Sequence, residues 1–159
     1  MEKRKHTPEQ ALAKIQNFCA YQERSHKEVR NKLFEYGLWS NQVDDIISQL
    51  ITDGFLNEER FAKAFAGGKF RMKKWGRLKI IRELEQRGLT PRCIQTGLNE
   101  IDQGDYQVAL KQILTKKKEQ LADMNDFEMR NKLARYAIGK GFEPDLVWQL
   151  VKDIVPKAP

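Results

Sequence analysis

Gly67-Gly68-Lys69 is the first run in this chain that invites a chemical reading, as a loop that cradles phosphate. The spacing G-x-x-x-x-G-K-[ST] is missing, Phe70 stands where the hydroxyl should be, and no strand precedes the run, so nucleotide binding is not expected. His6 and His26 each sit alone at a helix start, with no second ligand at i+3 or i+4, and read as surface histidines with no metal. Asp44 and Asp45 are adjacent on a helix and diverge by about 100° around its axis, which suits a solvated face better than a pair of acid and base carboxylates. Cys19 and Cys93 are the only cysteines and lack Cys-x-x-Cys spacing. They read as buried thiols, with neither a disulfide framework nor a thiolate metal site. Tyr136 and the scattered arginines have nothing in the sequence to bring them together as a nucleophile with cationic clamps. No catalytic constellation stands out; no enzyme activity and no cofactor are expected.

The informative chemistry is cationic. Lys69 to Arg82, KFRMKKWGRLKIIR, carries Lys69, Arg71, Lys73, Lys74, Arg77, Lys79 and Arg82 and no acidic residue. If the helix that includes Phe61 runs on through the two glycines, then Phe61, Phe65, Gly68, Met72 and Trp75 share one face at the 3.6-residue period. Phe70 falls about 180° away, among Arg71, Lys73 and Lys74. Cations beside an exposed aromatic ring are the usual equipment for single-stranded nucleic acid, with phosphates on the charges and a base on the ring. The bland alternative is solvated lysines with Phe70 packed on a neighbouring unit. Lys116-Lys117-Lys118 is a second basic run, which taken alone reads as a solvated face.

Charge follows the same division. Residues 1–56 hold eight basic and eight acidic side chains, residues 57–104 eleven and six, and residues 105–159 ten and eight, for a net charge of +7. A basic middle third is a statement about attraction to polyanions and none about fold.

The elements that must position these groups are helices. Hydrophobic residues make up 40% of the 159, enough for packed cores, and the five prolines lie outside the long periodic stretches. No apolar run reaches the roughly 20 residues that cross a bilayer, and Met1 to Gln10 lack the apolar stretch of a secretory signal, so a soluble, cytoplasmic protein with no membrane partner is expected. Thr7-Pro8-Glu9-Gln10 and Ser25-His26-Lys27-Glu28 are capping boxes, and Asn57, Thr90 and Asp105 are further N-cap candidates. Helices are predicted over 8–24, 26–36, 40–52, 57–74, 76–87, 91–103, 105–122, 126–139 and 143–154.

The sequence repeats. Val29, Leu33, Gly37, Leu38, Val43, Ile47 and Leu50 fall on Ile80, Leu84, Gly88, Leu89, Ile94, Leu98 and Ile101, and then on Leu133, Ala137, Gly141, Phe142, Val147, Val151 and Ile154. Apolar residues keep helical spacing on both sides of each glycine, as helix, Gly turn and helix would require. Each pair follows another helical stretch, so the fold class expected is all-α: three tandem three-helix repeats at 8–56, 57–104 and 105–155. Three short helices bury little core alone, so the repeats should lean on one another in an elongated helical array that is free to curve.

The run Asp53-Gly54-Phe55-Leu56-Asn57-Glu58-Glu59-Arg60-Phe61-Ala62, followed by Gly76-Arg77-x-x-Ile80-x-x-Glu83-Leu84-x-x-x-Gly88, resembles the RecX family of recombination regulators. The likeness covers residues 12–154. Asn57 stands where the family often has Asp, and in the third repeat Lys140-Gly141-Phe142 matches the Arg-Gly-Ile/Phe turn while Ala137 replaces a Leu. The resemblance implies a negative regulator that binds the groove of the RecA filament on single-stranded DNA and suppresses its ATPase, strand-exchange and co-protease functions. The chain starts close to its first repeat, and no long N-terminal extension is expected to add contacts. With the residue chemistry it makes Lys69, Phe70, Arg71, Lys73, Lys74, Arg77, Lys79, Arg82 and Arg60 the candidate DNA- or filament-binding residues of a monomer. For Arg60, Arg77 and Arg82 the alternative is internal pairing with Glu58, Glu83 or Glu85. A helix-turn-helix DNA-binding protein without RecA dependence is the competing class, with Asn41 and Gln42 as base-reading candidates. An enzyme acting on nucleic acid would need a metal cluster or nucleophile that the sequence does not display.

Overall fold

The structure, a computed structural model, describes residues 5–121 and 123–157. Among these residues it is all-helical: α1 Pro8–Tyr21, α2 His26–Glu35, α3 Ser40–Thr52, α4 Glu58–Gly68 running into a π turn at Lys69–Lys73, α5 Arg77–Gln86, α6 Pro91–Leu98, α7 Gln103–Gln120, α8 Asp126–Gly139 and α9 Pro144–Ile154. None of the described helices is long and apolar enough to cross a membrane. Met1–Arg4, four of the ten residues weighed as a leader, lie outside the described residues, as does residue 122, where α7 was expected to end.

Local chemistry sets most helix starts. Thr7 accepts from the backbone N–H of Gln10 at 3.2 Å while Gln10 Oε1 accepts from Thr7 N–H at 3.0 Å, which satisfies two otherwise orphan donors. Ser25, Asn57 and Thr90 accept from the N–H groups of Glu28, Arg60 and Cys93 at 3.1, 3.0 and 3.2 Å. Ser25 departs from a full box, because its hydroxyl donates to Glu28 Oε1 at 3.3 Å. The cap of α7 is corrected: Asp102, not Asp105, is the N-cap, and it accepts from Asp105 N–H at 2.9 Å. The same shift ends α6 at Leu98 rather than 103, since Asp102 in extended backbone opens the next helix.

The three glycines of the repeat close α2, α5 and α8 with φ of 87°, 79° and 100°, the left-handed region that a Cβ disfavours. Beyond two of them the chain makes the same pair of bonds, Gly88 N–H to Glu85 O and Leu89 N–H to Leu84 O, then Gly141 N–H to Ile138 O and Phe142 N–H to Ala137 O. The apolar positions aligned by the repeat are buried except Leu98 and Ile154, which are half-buried.

The chain divides into two compact units, one formed by residues up to Phe65 together with Leu84–Gly97, the other by Ala66–Glu83 together with the chain from Leu98 onward. In the first, α1, α2 and α3 pack on one another around Ala11, Ile15, Val29, Leu33, Val43, Ile46, Ile47, Leu50 and Leu56. Cys19 belongs to this core, and burial pushes its thiol pKa up, whereas Cys93 is only half-buried. His26, expected to stand alone, lies with Nδ1 3.4 Å from Glu58 Oε1. In the second unit α7, α8 and α9 pack around Tyr106, Leu110, Leu114, Met129, Leu133, Ala137, Phe142, Val147 and Val151. This second unit also holds every expected site residue except Arg60.

Candidate nucleic-acid interface

Lys69 to Arg82 is not one helix followed by another with a simple break. After Gly68 the backbone widens into the π turn, Lys74 adopts left-handed geometry (φ 57°), and its N–H reaches back to Phe70 O at 3.1 Å. A π turn advances each residue by less than the 100° of an α-helix, so faces read from an unbroken 3.6 period are rotated. Two expectations are thereby corrected. Phe70 is buried and meets Tyr106 edge-on with ring centroids 5.7 Å apart, and it does not stand on the basic face. Met72, expected on the apolar face, is 82% exposed.

The cations separate into three groups. Arg71, Lys73, Lys74 and Arg82 are exposed. Lys69 and Lys79 are half-buried, with Nζ 5.1 and 4.5 Å from the centroid of the Trp75 ring. Arg60 and Arg77 are committed internally. Arg60 donates to Glu23 at 2.9 Å and to Gly54 O at 2.8 Å, so it is not a free anchor, and its partner is not among the acids expected.

Arg77 holds the second unit together. Its guanidinium lies 3.8 Å from the centroid of Tyr106, donates to Glu143 Oε2 at 2.8 Å and also donates to Gln103. Its backbone N–H donates to Tyr106 Oη at 3.0 Å, and the Tyr106 hydroxyl donates to Glu143 Oε1. Tyr106 is 1% exposed, and burial, with the Glu143 hydrogen bond second, raises its phenol pKa above the ordinary tyrosine range. Beside this network Gly76 N–H donates to Lys140 O at 2.8 Å and Leu78 N–H to Gly141 O at 2.9 Å. A Cβ on Gly76 would stand 2.2 Å from Gly141 C and Phe142 N, so only glycine lets these two backbones meet. The link between the Gly76-Arg77 segment and the Gly141 turn, with α5 to α8 between the two glycines, carries no signal in the sequence.

A second feature is invisible in the sequence for the same reason. Lys74, Lys116, Lys117 and Lys140 line one groove of about 380 Å³ with Tyr136, Gln112, Gln120, Ala109 and Ile113. Lys116, exposed, and Lys117, half-buried, thus share a groove with Lys74 of the Lys69–Arg82 segment. Lys118 points elsewhere, its Nζ donating to Ile154 O at 3.0 Å. The spacing of Ala109, Gln112, Ile113, Lys116, Lys117 and Gln120 marks one face of α7 and was legible; the approach of Lys74, Tyr136 and Lys140 was not. Among the described residues no group of three His, Cys, Asp or Glu is placed to hold a metal ion. Gln42, weighed for base reading, has its side-chain carbonyl on Trp39 N–H at 2.9 Å.

Comparison with known proteins agrees with the local pattern. Family models for the second and third three-helix domains of RecX match residues 57–98 and 104–151. A "Regulatory protein RecX" from Pelodictyon phaeoclathratiforme is 30% identical over 132 residues, covering 81% of this chain and 78% of the relative. The chain belongs to the RecX family. A further RecX relative, from Finegoldia magna, is 26% identical over 141 residues, which cover 84% of this chain and 66% of the relative, just under two thirds of its length. The crystal structure of RecX from Lactobacillus salivarius superposes with a TM-score of 0.84 over 92% of this chain and 96% of that one, at 18% identity, and so shares the fold.

Proposed function

We propose that this chain is a negative regulator of the RecA recombinase, which binds the RecA filament on single-stranded DNA in the cytoplasm and suppresses its ATPase, strand-exchange and co-protease activities. Membership of a family whose members bear the name "Regulatory protein RecX" carries the reading. The cationic surface supports it: Arg71, Lys73, Lys74 and Arg82 are exposed and have no ion-pair partner among the described residues, which leaves them available to phosphates or to acidic side chains of a filament. Arg60 and Arg77 shape the protein and are not part of the proposed contact.

Regulation of this kind needs no chemistry by the regulator. A protein that binds one filament geometry better than the others opposes the changes that accompany ATP turnover by its differential affinity alone. The test is ATP hydrolysis by the cognate RecA on single-stranded DNA, titrated with this protein at fixed salt, with binding measured in parallel to the filament, to RecA alone and to bare DNA. Hydrolysis should fall at substoichiometric protein. No inhibition at a one-to-one ratio, together with no binding to the filament, overturns the reading.

A further inference from the structure

Four lysines converge on the groove of the second unit, and among the described residues no acidic side chain lines it. Packing like charges around one cleft is unfavourable unless something negative belongs there. Lys74 reaches the groove from left-handed backbone (φ 57°), a conformation that is costly for a residue with a Cβ and that collects at functional sites. Tyr136, on α8, is 38% exposed in the same groove, with Lys117 Nζ 4.7 Å and Lys140 Nζ 5.7 Å from its ring centroid. Ala109 and Ile113 give an apolar lining, and Gln112 and Gln120 supply neutral hydrogen-bonding groups.

We propose that this groove seats a nucleotide of a single strand, its base stacked on Tyr136 and the flanking phosphates among Lys74, Lys116, Lys117 and Lys140. The volume, about 380 Å³, lies within the range of about 300–1,000 Å³ usual for small-molecule sites. A duplex keeps its bases stacked on each other and offers none to a lone ring, while a single strand offers each in turn. An acidic protein surface would engage the lysines but leave the ring without a partner. Lysine stems are flexible, so the ammonium groups now over the ring can move to phosphates on either side of a stacked base. Aromatic stacking with no base-edge code predicts binding that tolerates any sequence.

The inference rests on the regulator reading for the polyanion it meets in the cell, and its test uses bare DNA so that the two can fail separately. The full chain and three variants, Tyr136→Leu, Tyr136→Phe and the double Lys116→Gln/Lys117→Gln, are titrated against a labelled oligothymidylate over a range of salt, with circular dichroism checking the helices. Tyr136→Leu should weaken binding about five- to 150-fold, the loss of one stacked base, while Tyr136→Phe stays close to the original. The double lysine variant should flatten the log–log salt slope by about 0.7 for each phosphate it no longer neutralises. Unchanged binding by Tyr136→Leu, equal damage by Tyr136→Phe, or displacement of the oligonucleotide by polyglutamate as readily as by unlabelled oligonucleotide each overturns the proposal. If RecA's ATPase is inhibited while the groove variants bind DNA normally, the groove falls and the regulator stands. If Tyr136→Leu loses DNA while the original chain leaves RecA untouched, the groove stands and the regulator falls.

Discussion

Replacing Gly76 with Ala adds one methyl group, and the structure places it against backbone with no room to yield. The new Cβ would lie 2.2 Å from Gly141 C, 2.2 Å from Phe142 N and 2.4 Å from Gly141 O, none of them the movable end of a side chain. Relief requires the segment at Gly76 to separate from the turn at Gly141, which breaks Gly76 N–H to Lys140 O and Leu78 N–H to Gly141 O. Two such bonds are worth about 1 kcal/mol each, and overpacking at the buried Phe142 adds about 1 kcal/mol or more, for a total near 3 kcal/mol. For a chain of this length that lowers the midpoint of thermal unfolding by roughly 6–12 °C. Gly68→Ala is the matched control: the same methyl meets nothing within 4 Å, on helical backbone (φ −64°), and should stabilise by up to about 1 kcal/mol. Both are read by thermal and urea unfolding followed by circular dichroism. If Gly76→Ala unfolds within about 0.5 kcal/mol of the original chain, or if the two variants shift alike, the close approach of these backbones is wrong.

Tyr106→Phe removes an acceptor from Arg77 N–H and a donor from Glu143, and should cost about 1–3 kcal/mol in urea at neutral pH. Because the phenol pKa is raised in the folded state, its contribution is complete below the ordinary tyrosine value near 10 and declines as pH rises beyond it, so the original chain should lose more stability than Tyr106→Phe between about pH 8 and pH 11. Asp102→Ala should destabilise by about 1 kcal/mol through loss of the α7 cap, and Asp105→Ala by less, with equal effects arguing against the cap assignment in urea unfolding.

Much of what near neighbours govern was legible in the residues, the α7 cap at Asp102 excepted. Helix starts at Thr7, Ser25, Asn57 and Thr90 follow from side chains that reach an N–H three residues on, and the turns at Gly37, Gly88 and Gly141 from the cost of a Cβ at positive φ. The repeat was visible because burial on one helix face leaves a period in the chain, and the family resemblance was legible separately, in the run Asp53–Ala62 and the pattern from Gly76 to Gly88. The tertiary structure alone decided which charges are available. Arg60 and Arg77 look like Lys73 and Lys74 in sequence, yet the first two are held by Glu23 and Glu143, 37 and 66 residues away. The π turn that buries Phe70 beside Tyr106, the glycine contact between Gly76 and Gly141, and the groove that gathers Lys74 with Lys116, Lys117 and Lys140 share this origin. Each depends on groups distant in sequence meeting within one packed unit, and a pairing of that kind leaves no periodic or capping signal in the residues that make it.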